Sequence, residues 1–376
     1  MSRILETLLV DPRDPDAILD DLEAAIAGER TLLPVPADDP ARIGMLTDSQ
    51  RAGQPIDDHI ALVVPTSGST GTPKGALLSP ANLVSSADAT HRVLGGEGQW
   101  LLALPAHHIA GIHVLIRSLV AGIDPLCLDL SGGFDVPAFA AAAHELKDTG
   151  DRIYTSLTPM QLAKAMDFLA GIEALRLFDA ILVGGAALNP QIRRAAQQLQ
   201  IHIVGTYGSS ETSGGCIYDG HPIPGARVRI EDGRIHLGGP MIARGYRNHP
   251  GHEAFTEAGW FATSDGGRLD NGVLTVTGRL DAIIDSGGLK LHPEVLEQAL
   301  LAVRGVTAAC VVGIPDPRLG EAIVAAYAGP ATPGEVISGL HDLPRWQLPK
   351  ELRAVDALPL IGPGKVDRQA VKKMFR

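Results

Sequence analysis

A run of ten residues, Thr66-Ser67-Gly68-Ser69-Thr70-Gly71-Thr72-Pro73-Lys74-Gly75, constrains this chain more than any other feature. It follows the short apolar run Ile60–Val64, closed by Pro65, which suits a buried strand. Three glycines, five hydroxyls and one lysine fall within it. Glycines let backbone N–H groups approach an anion closely. Hydroxyls donate to phosphate oxygens, and Lys74 adds a positive point charge. The ligand this composition suits is a tri- or pyrophosphate. The spacing GxxxxGK[ST] is absent, so the loop is not the Walker type. A solvated Ser/Thr/Gly loop is the plain alternative, and the ordered string after a strand argues against it.

The surrounding chain alternates strand-like and helix-like segments. Asp16 to Ala27 reads as an amphipathic helix stopped by Gly28, and Thr31 to Pro55 as extended chain or loop. Trp100–Leu104, Ile153–Leu157, Ala180–Val183 and Ile201–Gly205 read as strands. Between them lie helical patterns over Ile109–Val120, Pro159–Leu169 and from Pro190 to Leu199, the last with Asn189 as N-cap. This β–α–β order predicts a mainly parallel sheet covered by helices.

From Arg227 the texture changes to short strands separated by turns. Glu231-Asp232-Gly233 and Asp270-Asn271-Gly272 are hairpin-type turns, so a β-rich subdomain is expected. After Leu280–Asp281 an α+β pattern follows: a helix Pro293–Val303 and strands Ala308–Val312 and Glu321–Tyr327. The expected fold is α/β: a large N-terminal domain, 1–280, and a small mobile α+β C-terminal domain, 281–376.

Composition narrows the function. A net charge of −11 argues against general affinity for nucleic acid or acidic membrane. With 3 Trp, 5 Tyr and 7 Phe, stacked single-strand recognition is poorly supplied. Cys127, Cys216 and Cys310 are far apart and form no CxxC, which disfavours disulfides or a cysteine zinc site and points to a reduced cytoplasm. The first residues form no convincing signal peptide, and no run is long enough for a membrane span.

Further motifs follow the loop in order. They are Leu104-Pro-Ala-His-His-Ile-Ala-Gly111, Gly184-Gly-Ala-Ala-Leu188, Thr206-Tyr-Gly-Ser-Ser-Glu211, Trp260-Phe-Ala-Thr-Ser-Asp265, Gly278-Arg-Leu-Asp281 and Pro363-Gly-Lys365. With the loop, they resemble the AMP-forming adenylating superfamily of acyl- and aryl-CoA ligases, peptide-synthetase adenylation domains and luciferases. The resemblance covers about residues 60 to 376. Ser210 stands where the family pattern has Thr. The region before the loop is shorter than in full-length relatives, so the usual N-terminal subdomain is expected to be reduced. The compact chain looks like the short o-succinylbenzoate–CoA ligases of menaquinone biosynthesis in actinobacteria.

The resemblance implies ATP, Mg²⁺ and CoA as partners of a small carboxylic acid, and leaves a homodimer open. Thr66, Ser67, Gly68, Ser69, Thr70, Gly71 and Lys74 are the expected phosphate loop. Gly184, Gly185, Ala186, Thr206, Tyr207, Gly208 and Ser210 are expected at AMP, Tyr207 as a flat face for the purine and Ser210 as an α-phosphate donor. Glu211 is a hard oxygen ligand suited to Mg²⁺; alone it would read as a surface carboxylate. Asp265 offers two acceptors to vicinal ribose hydroxyls, assisted by Arg279. Lys365, in a Gly/Pro loop, is the expected catalytic cation; without that setting it would read as a solvated lysine. Asp281 is the expected hinge. His108 is the expected gate beside the acyl pocket, with a packed or capping histidine as the alternative.

His113 and Arg117, one helical turn apart, are candidates for a second substrate carboxylate, although an outward, solvated Arg117 reads equally well. Ser156, Thr158 and Ser209 are expected pocket walls. Two rival functions stay open: a ligase or carrier-loading enzyme for another aryl or short-chain acid, and a non-catalytic nucleotide-binding protein.

Overall fold

The structure, a computed structural model, describes residues 2–66, 72–361 and 365–375. Contacts divide it into two units. The first comprises Met1–Gly185, Ala196–Arg229 and His236–Thr263; the second comprises Ala186–Ala195, Ile230–Ile235 and Ser264–Arg376.

The first unit opens with β1 (Ser2–Val10), β2 (Thr31–Pro36), β3 (Pro55–Asp57), β4 (Leu62–Pro65) and β5 (Gly75–Leu78), ordered β3-β1-β2-β4-β5. Leu5, Leu33, Val35, Ile56 and Val63 form one core cluster of this sheet. Two of its surroundings depart from the sequence expectation. β1 was not anticipated. The stretch expected to be extended holds β2 and then a helix, Pro40–Gln50, whose N-cap Asp39 accepts from Arg42 N at 2.9 Å. That helix buries only Leu46 and Gln50, so its apolar face is too thin to register as periodicity. The expected helix from Asp16 begins as a 3₁₀ turn, Pro15–Ile18, before Leu19–Ile26.

A second sheet contains β6 (Gln99–Leu102), β7 (Leu126–Cys127), β8 (Ile153–Leu157), β9 (Ala180–Val183), β10 (Ile203–Ser209), β11 (Gly214–Tyr218) and β12 (His221–Pro222). Its order is β12-β11-β10-β9-β8-β6-β7. The pairs β7–β6, β6–β8, β8–β9 and β9–β10 are parallel, as the β–α–β alternation predicts, and β10–β11 is antiparallel. Trp100, Leu101, Tyr154, Ile181 and Phe139 are fully buried around it.

The β-rich stretch supplies β13 (Arg227–Glu231), β14 (Arg234–Gly238), β15 (Trp260–Asp270) and β16 (Val273–Arg279), forming a sheet in that order. Both expected turns are present. Asp232 and Gly233 have φ of 48° and 77°, and Asn271 and Gly272 have 50° and 81°. Positive φ at two central residues is what a two-residue hairpin with right-twisted strands requires.

The second unit continues with β17 (Ile284–Ser286), β18 (Leu289–Leu291), β19 (Ala308–Asp316), β20 (Gly320–Ala328) and β21 (Glu351–Val355). These are ordered β18-β17-β20-β19, with β21 on β20. The helix Pro293–Ala302 buries Leu296 and Leu300 against Val311, Ile323 and Tyr327. The final helix, Arg368–Met374, buries Val371 with Cys310, Val312 and Val324. Among the described residues no helix is long and apolar enough to cross a membrane.

Candidate active site

Three of the sequence motifs, and the expected pocket-wall residue Thr158, stand at the carboxyl ends of parallel strands in the second sheet. β6 leads into Leu104–Gly111, β8 into Thr158, β9 into Gly184 and Gly185, and β10 carries Thr206 to Ser209 with Ser210 and Glu211 following. Carboxyl ends of parallel strands are where α/β sheets place their ligands. Close approach of neighbouring atoms leaves no room for a Cβ at two glycines there. A Cβ on Gly208 would lie 2.1 Å from Gly214 O, beside the bulge at Tyr207/Gly208. A Cβ on Gly184 would lie 2.2 Å from Thr206 Oγ1, so the two motifs touch.

The phosphate-loop expectation is only partly visible, because Ser67, Gly68, Ser69, Thr70 and Gly71 lie outside the described residues. The base of the loop is closed by Thr66 N donating to Lys74 O at 2.7 Å. Pro73 O accepts from Gln50 Nε2 (2.7 Å) and Asn248 Nδ2 (2.9 Å). The segment Arg244–Asn248 runs along β5. Leu77 N donates to Gly245 O, Arg244 N to Leu77 O and Arg247 N to Gly75 O.

That edge pairing builds a contact chain that sequence reading missed. Tyr246 Oη donates to Glu211 Oε1 at 2.6 Å, and Lys74 Nζ lies 5.1 Å from the centre of the Tyr246 ring. Lys74 Nζ is also 2.9 Å from His252 Nε2. Glu211 is buried, and its backbone carbonyl accepts from Ala243 N at 2.8 Å. With Tyr246 on Oε1, Oε2 is available as a hard oxygen ligand, so the residues fit a Mg²⁺ ion held by one carboxylate and shared with phosphates. Burial and the neighbouring Glu211 carboxylate push the Tyr246 phenol up, which keeps it a donor. The sequence signal for Tyr246 is only Arg244-Gly-Tyr246 after a β segment, with no periodicity to mark it.

The helix Ile109–Ala121 starts at His108, whose backbone N donates to Pro105 O at 3.1 Å. The His107 and His108 rings are 4.2 Å apart. Burial pulls His107 down to about 4, with Arg42 assisting. One and two turns on, His113 and Arg117 are both buried, which corrects the solvated reading of Arg117. The Arg117 guanidinium lies 4.8 Å from the centre of the Trp100 ring, and burial lowers its pKa against the support that Tyr218 gives the charged form. Among the described residues no carboxylate pairs with it. Neither buried ring nitrogen of His113 has a hydrogen-bond partner among the described residues, and burial holds this imidazole far below its usual range.

Ser156 is buried at the end of β8, while Thr158 caps the next helix by accepting from Gln161 N at 3.2 Å. Ser209 N donates to Thr212 Oγ1 at 2.9 Å, and Ser210 is buried. Tyr207 is half-buried, as are Thr206 and Ser209.

In the second unit the β15–β16 hairpin sets Asp265 directly opposite Arg279. Arg279 Nε donates to Asp281 Oδ1 at 2.8 Å, and its guanidinium holds the Asp281 carboxyl below the usual range. Ala186 is exposed, and Asn189 Oδ1 accepts from Gln191 N at 2.7 Å, the expected cap. Lys365 pairs with Ile361 between β22 (Leu360–Ile361) and β23 (Lys365–Val366) and is half-buried. Three residues on, Arg368 makes a two-pronged pair with Glu297, Nη1 to Oε1 at 2.6 Å and Nη2 to Oε2 at 2.8 Å, and also donates to Val311 O at 2.8 Å. This anchors the helix that follows Lys365.

The three cysteines are free. Cys216 and Cys310 are buried, Cys127 is partly so, and burial pushes each thiol up to about 12.

The family model described as AMP-binding enzyme matches residues 7–247, and the AMP-binding enzyme C-terminal domain matches 295–365. The chain belongs to the AMP-binding enzyme family. This AMP-binding enzyme is 45% identical over 372 residues to the probable 2-succinylbenzoate–CoA ligase of Mycobacterium tuberculosis, covering 93% of this chain and 97% of that protein. It is 30% identical over 350 residues to the 2-succinylbenzoate–CoA ligase of Enterococcus faecalis, covering 84% and 70%. The o-succinylbenzoate CoA synthetase of Bacillus subtilis, solved with its acyl-adenylate intermediate, shares the fold at a TM-score of 0.83. That match has 22% identity and covers 98% of this chain and 87% of that one.

Proposed function

We propose that this AMP-binding enzyme is an ATP-dependent acid–CoA ligase that converts o-succinylbenzoate to o-succinylbenzoyl-CoA for menaquinone biosynthesis in the cytoplasm. The likeness to the mycobacterial relative supports the reaction. Arg117 carries the choice of acid. A buried guanidinium without a carboxylate is costly, and an acid bearing a second carboxylate relieves that cost. His113, with both nitrogens unpartnered one turn away, can donate one further hydrogen bond.

In the first half-reaction the succinyl carboxylate oxygen attacks the α-phosphorus of ATP, and the bond to the pyrophosphate oxygen breaks. In the second, the CoA thiol sulfur attacks the acyl carbonyl and AMP leaves. Thr66 and Lys74 hold the β- and γ-phosphates. Gly184, Gly185, Ala186 and Tyr207 frame the adenine, Thr206 and Gly208 shape the motif, and Ser210 donates to the α-phosphate. Asp265 accepts from the ribose hydroxyls, with Arg279 opposite. Glu211 holds Mg²⁺, which screens phosphate charge. Lys365 neutralises charge building on the α-phosphoryl group. His108 gates the acyl pocket, and Ser156, Thr158 and Ser209 wall it. Asp281 is the hinge about which the 281–376 domain brings Lys365 in and then withdraws it. A homodimer is compatible with this scheme.

The test is a coupled assay with o-succinylbenzoate, ATP, Mg²⁺ and CoA, using wild type and Arg117→Gln. The comparison acid lacks the ring carboxylate. Arg117→Gln should reduce kcat/KM for o-succinylbenzoate at least tenfold more than for the comparison acid. Equal losses for both acids would remove Arg117 from recognition. Failure of wild type to form the thioester would remove the substrate assignment.

A further inference from the structure

His252 lies outside every motif described above, in the loop Asn248-His-Pro-Gly-His252. Its Nδ1 accepts from Ala254 N at 3.1 Å. A neutral imidazole carries one ring proton, so that proton then sits on Nε2. Nε2 is the atom 2.9 Å from Lys74 Nζ. Two donors thus converge at hydrogen-bond distance. The ring cannot accept from both Ala254 and an ammonium while remaining neutral. An anionic oxygen between the two groups resolves the conflict, because each can donate to it. On its other side His252 lines a hollow of about 220 Å³ together with the exposed Arg244, a second cation near the ring, with Tyr246 and Gly251 in its wall. Burial and Lys74 lower the His252 pKa, so the neutral, Nε2-protonated ring prevails at pH 7.

We propose that His252 is a phosphate ligand of this enzyme, donating from Nε2 to the polyphosphate oxygens that Lys74 binds. The proposal rests on the reading of Lys74 as a phosphate-binding lysine. It places the contact on the β- and γ-phosphates and on free pyrophosphate, not on AMP. The Ala254 cap fixes the ring and its tautomer, and Tyr246 sits between the lysine and the Glu211 carboxylate.

Four variants of the full chain test this: His252→Leu, His252→Gln, His252→Asn and Lys74→Met. Calorimetry measures ATP, pyrophosphate and AMP binding, with thermal melting to establish folding. Leucine should weaken ATP and pyrophosphate by about ten- to a hundredfold, the worth of a hydrogen bond to a charged group, and leave AMP unchanged. Glutamine, whose Nε2 reaches the position of the ring Nε2, should restore most of that loss. Asparagine can replace Nδ1 as the acceptor for Ala254 but does not reach the phosphate, so it should not restore it. Rescue by asparagine rather than glutamine would show a capping role and overturn the proposal. Equal losses for ATP and AMP would overturn it too. If His252→Leu binds ATP normally while Lys74→Met does not, the lysine reading stands and the histidine falls. If Lys74→Met also binds ATP normally, the lysine reading falls and takes the proposal with it.

Discussion

At the scale of single residues, the enzyme gathers its charges by backbone pairing as much as by motif. Glu211 is buried, with Tyr246 on one carboxylate oxygen. Glu211→Gln is nearly isosteric but a poorer ligand for a hard cation. A Mg²⁺ titration of the adenylation rate should shift to higher metal, with the melting temperature little changed. An unchanged curve with a normal maximal rate would remove Glu211 from the metal. Lys365→Ala removes the proposed transition-state cation and should slow adenylation by about 10²–10³. Synthetic acyl-adenylate should bypass most of that defect, and equal loss in both half-reactions would count against the role. The roles proposed for Glu211, Asp265, Arg279 and Lys365 start from short ordered strings in the sequence. Tyr246 and His252 were not legible there, since they meet Glu211 and Lys74 across 35 and 178 residues of chain. Such contacts depend on a bridge between Ala76 and Tyr246 that no local pattern encodes.

Among elements, legibility followed burial. Ile153–Leu157 and Ala180–Val183 are buried along their whole length and were read from the sequence with their observed bounds. The hairpins at Asp232-Gly233 and Asn271-Gly272 were legible because left-handed backbone demands those residues. The helix Pro40–Gln50 was not, since it is polar over most of its surface. Gly208 is the element-level weak point. Gly208→Ala would push a methyl to 2.1 Å from Gly214 O, where only backbone movement can relieve it. That variant should lose about 1–3 kcal/mol of stability, and its ATP affinity should fall with it. Melting and nucleotide titration on one preparation check both, and an unshifted melt would show that the bulge relaxes freely. Asp281→Pro addresses the proposed hinge. Proline fixes φ near −65° and removes the N–H, restricting rotation there. Pyrophosphate release should survive in a single turnover while thioester formation collapses. Normal thioester formation by the folded variant would place the pivot elsewhere.

For the whole molecule, three buried or half-buried imidazoles set the acid limit. His91 and His107 are held down at about 4 by burial, and His113 is held lower than its usual range. The folded chain therefore binds fewer protons than the unfolded chain below about pH 6.5. Their contribution is complete above that value and is lost as pH falls toward 4, by about 3 kcal/mol for the His91 ring. Melting temperature should decline steadily from pH 6.5 to 4.5, above the range where most carboxylates titrate. A flat profile over that window would show that these rings find partners when protonated.

The cysteines carry a consequence of a different kind. A thiol lifted to about 12 is almost entirely protonated at neutral pH, and only its thiolate reacts quickly. The native chain should therefore be nearly silent toward maleimides and spin-label reagents. One new surface cysteine in each unit would then take probes selectively without deleting Cys127, Cys216 or Cys310. Distances between the two labels, recorded with ATP and then with CoA, would test the proposed swing of residues 281–376 in an otherwise unmodified enzyme.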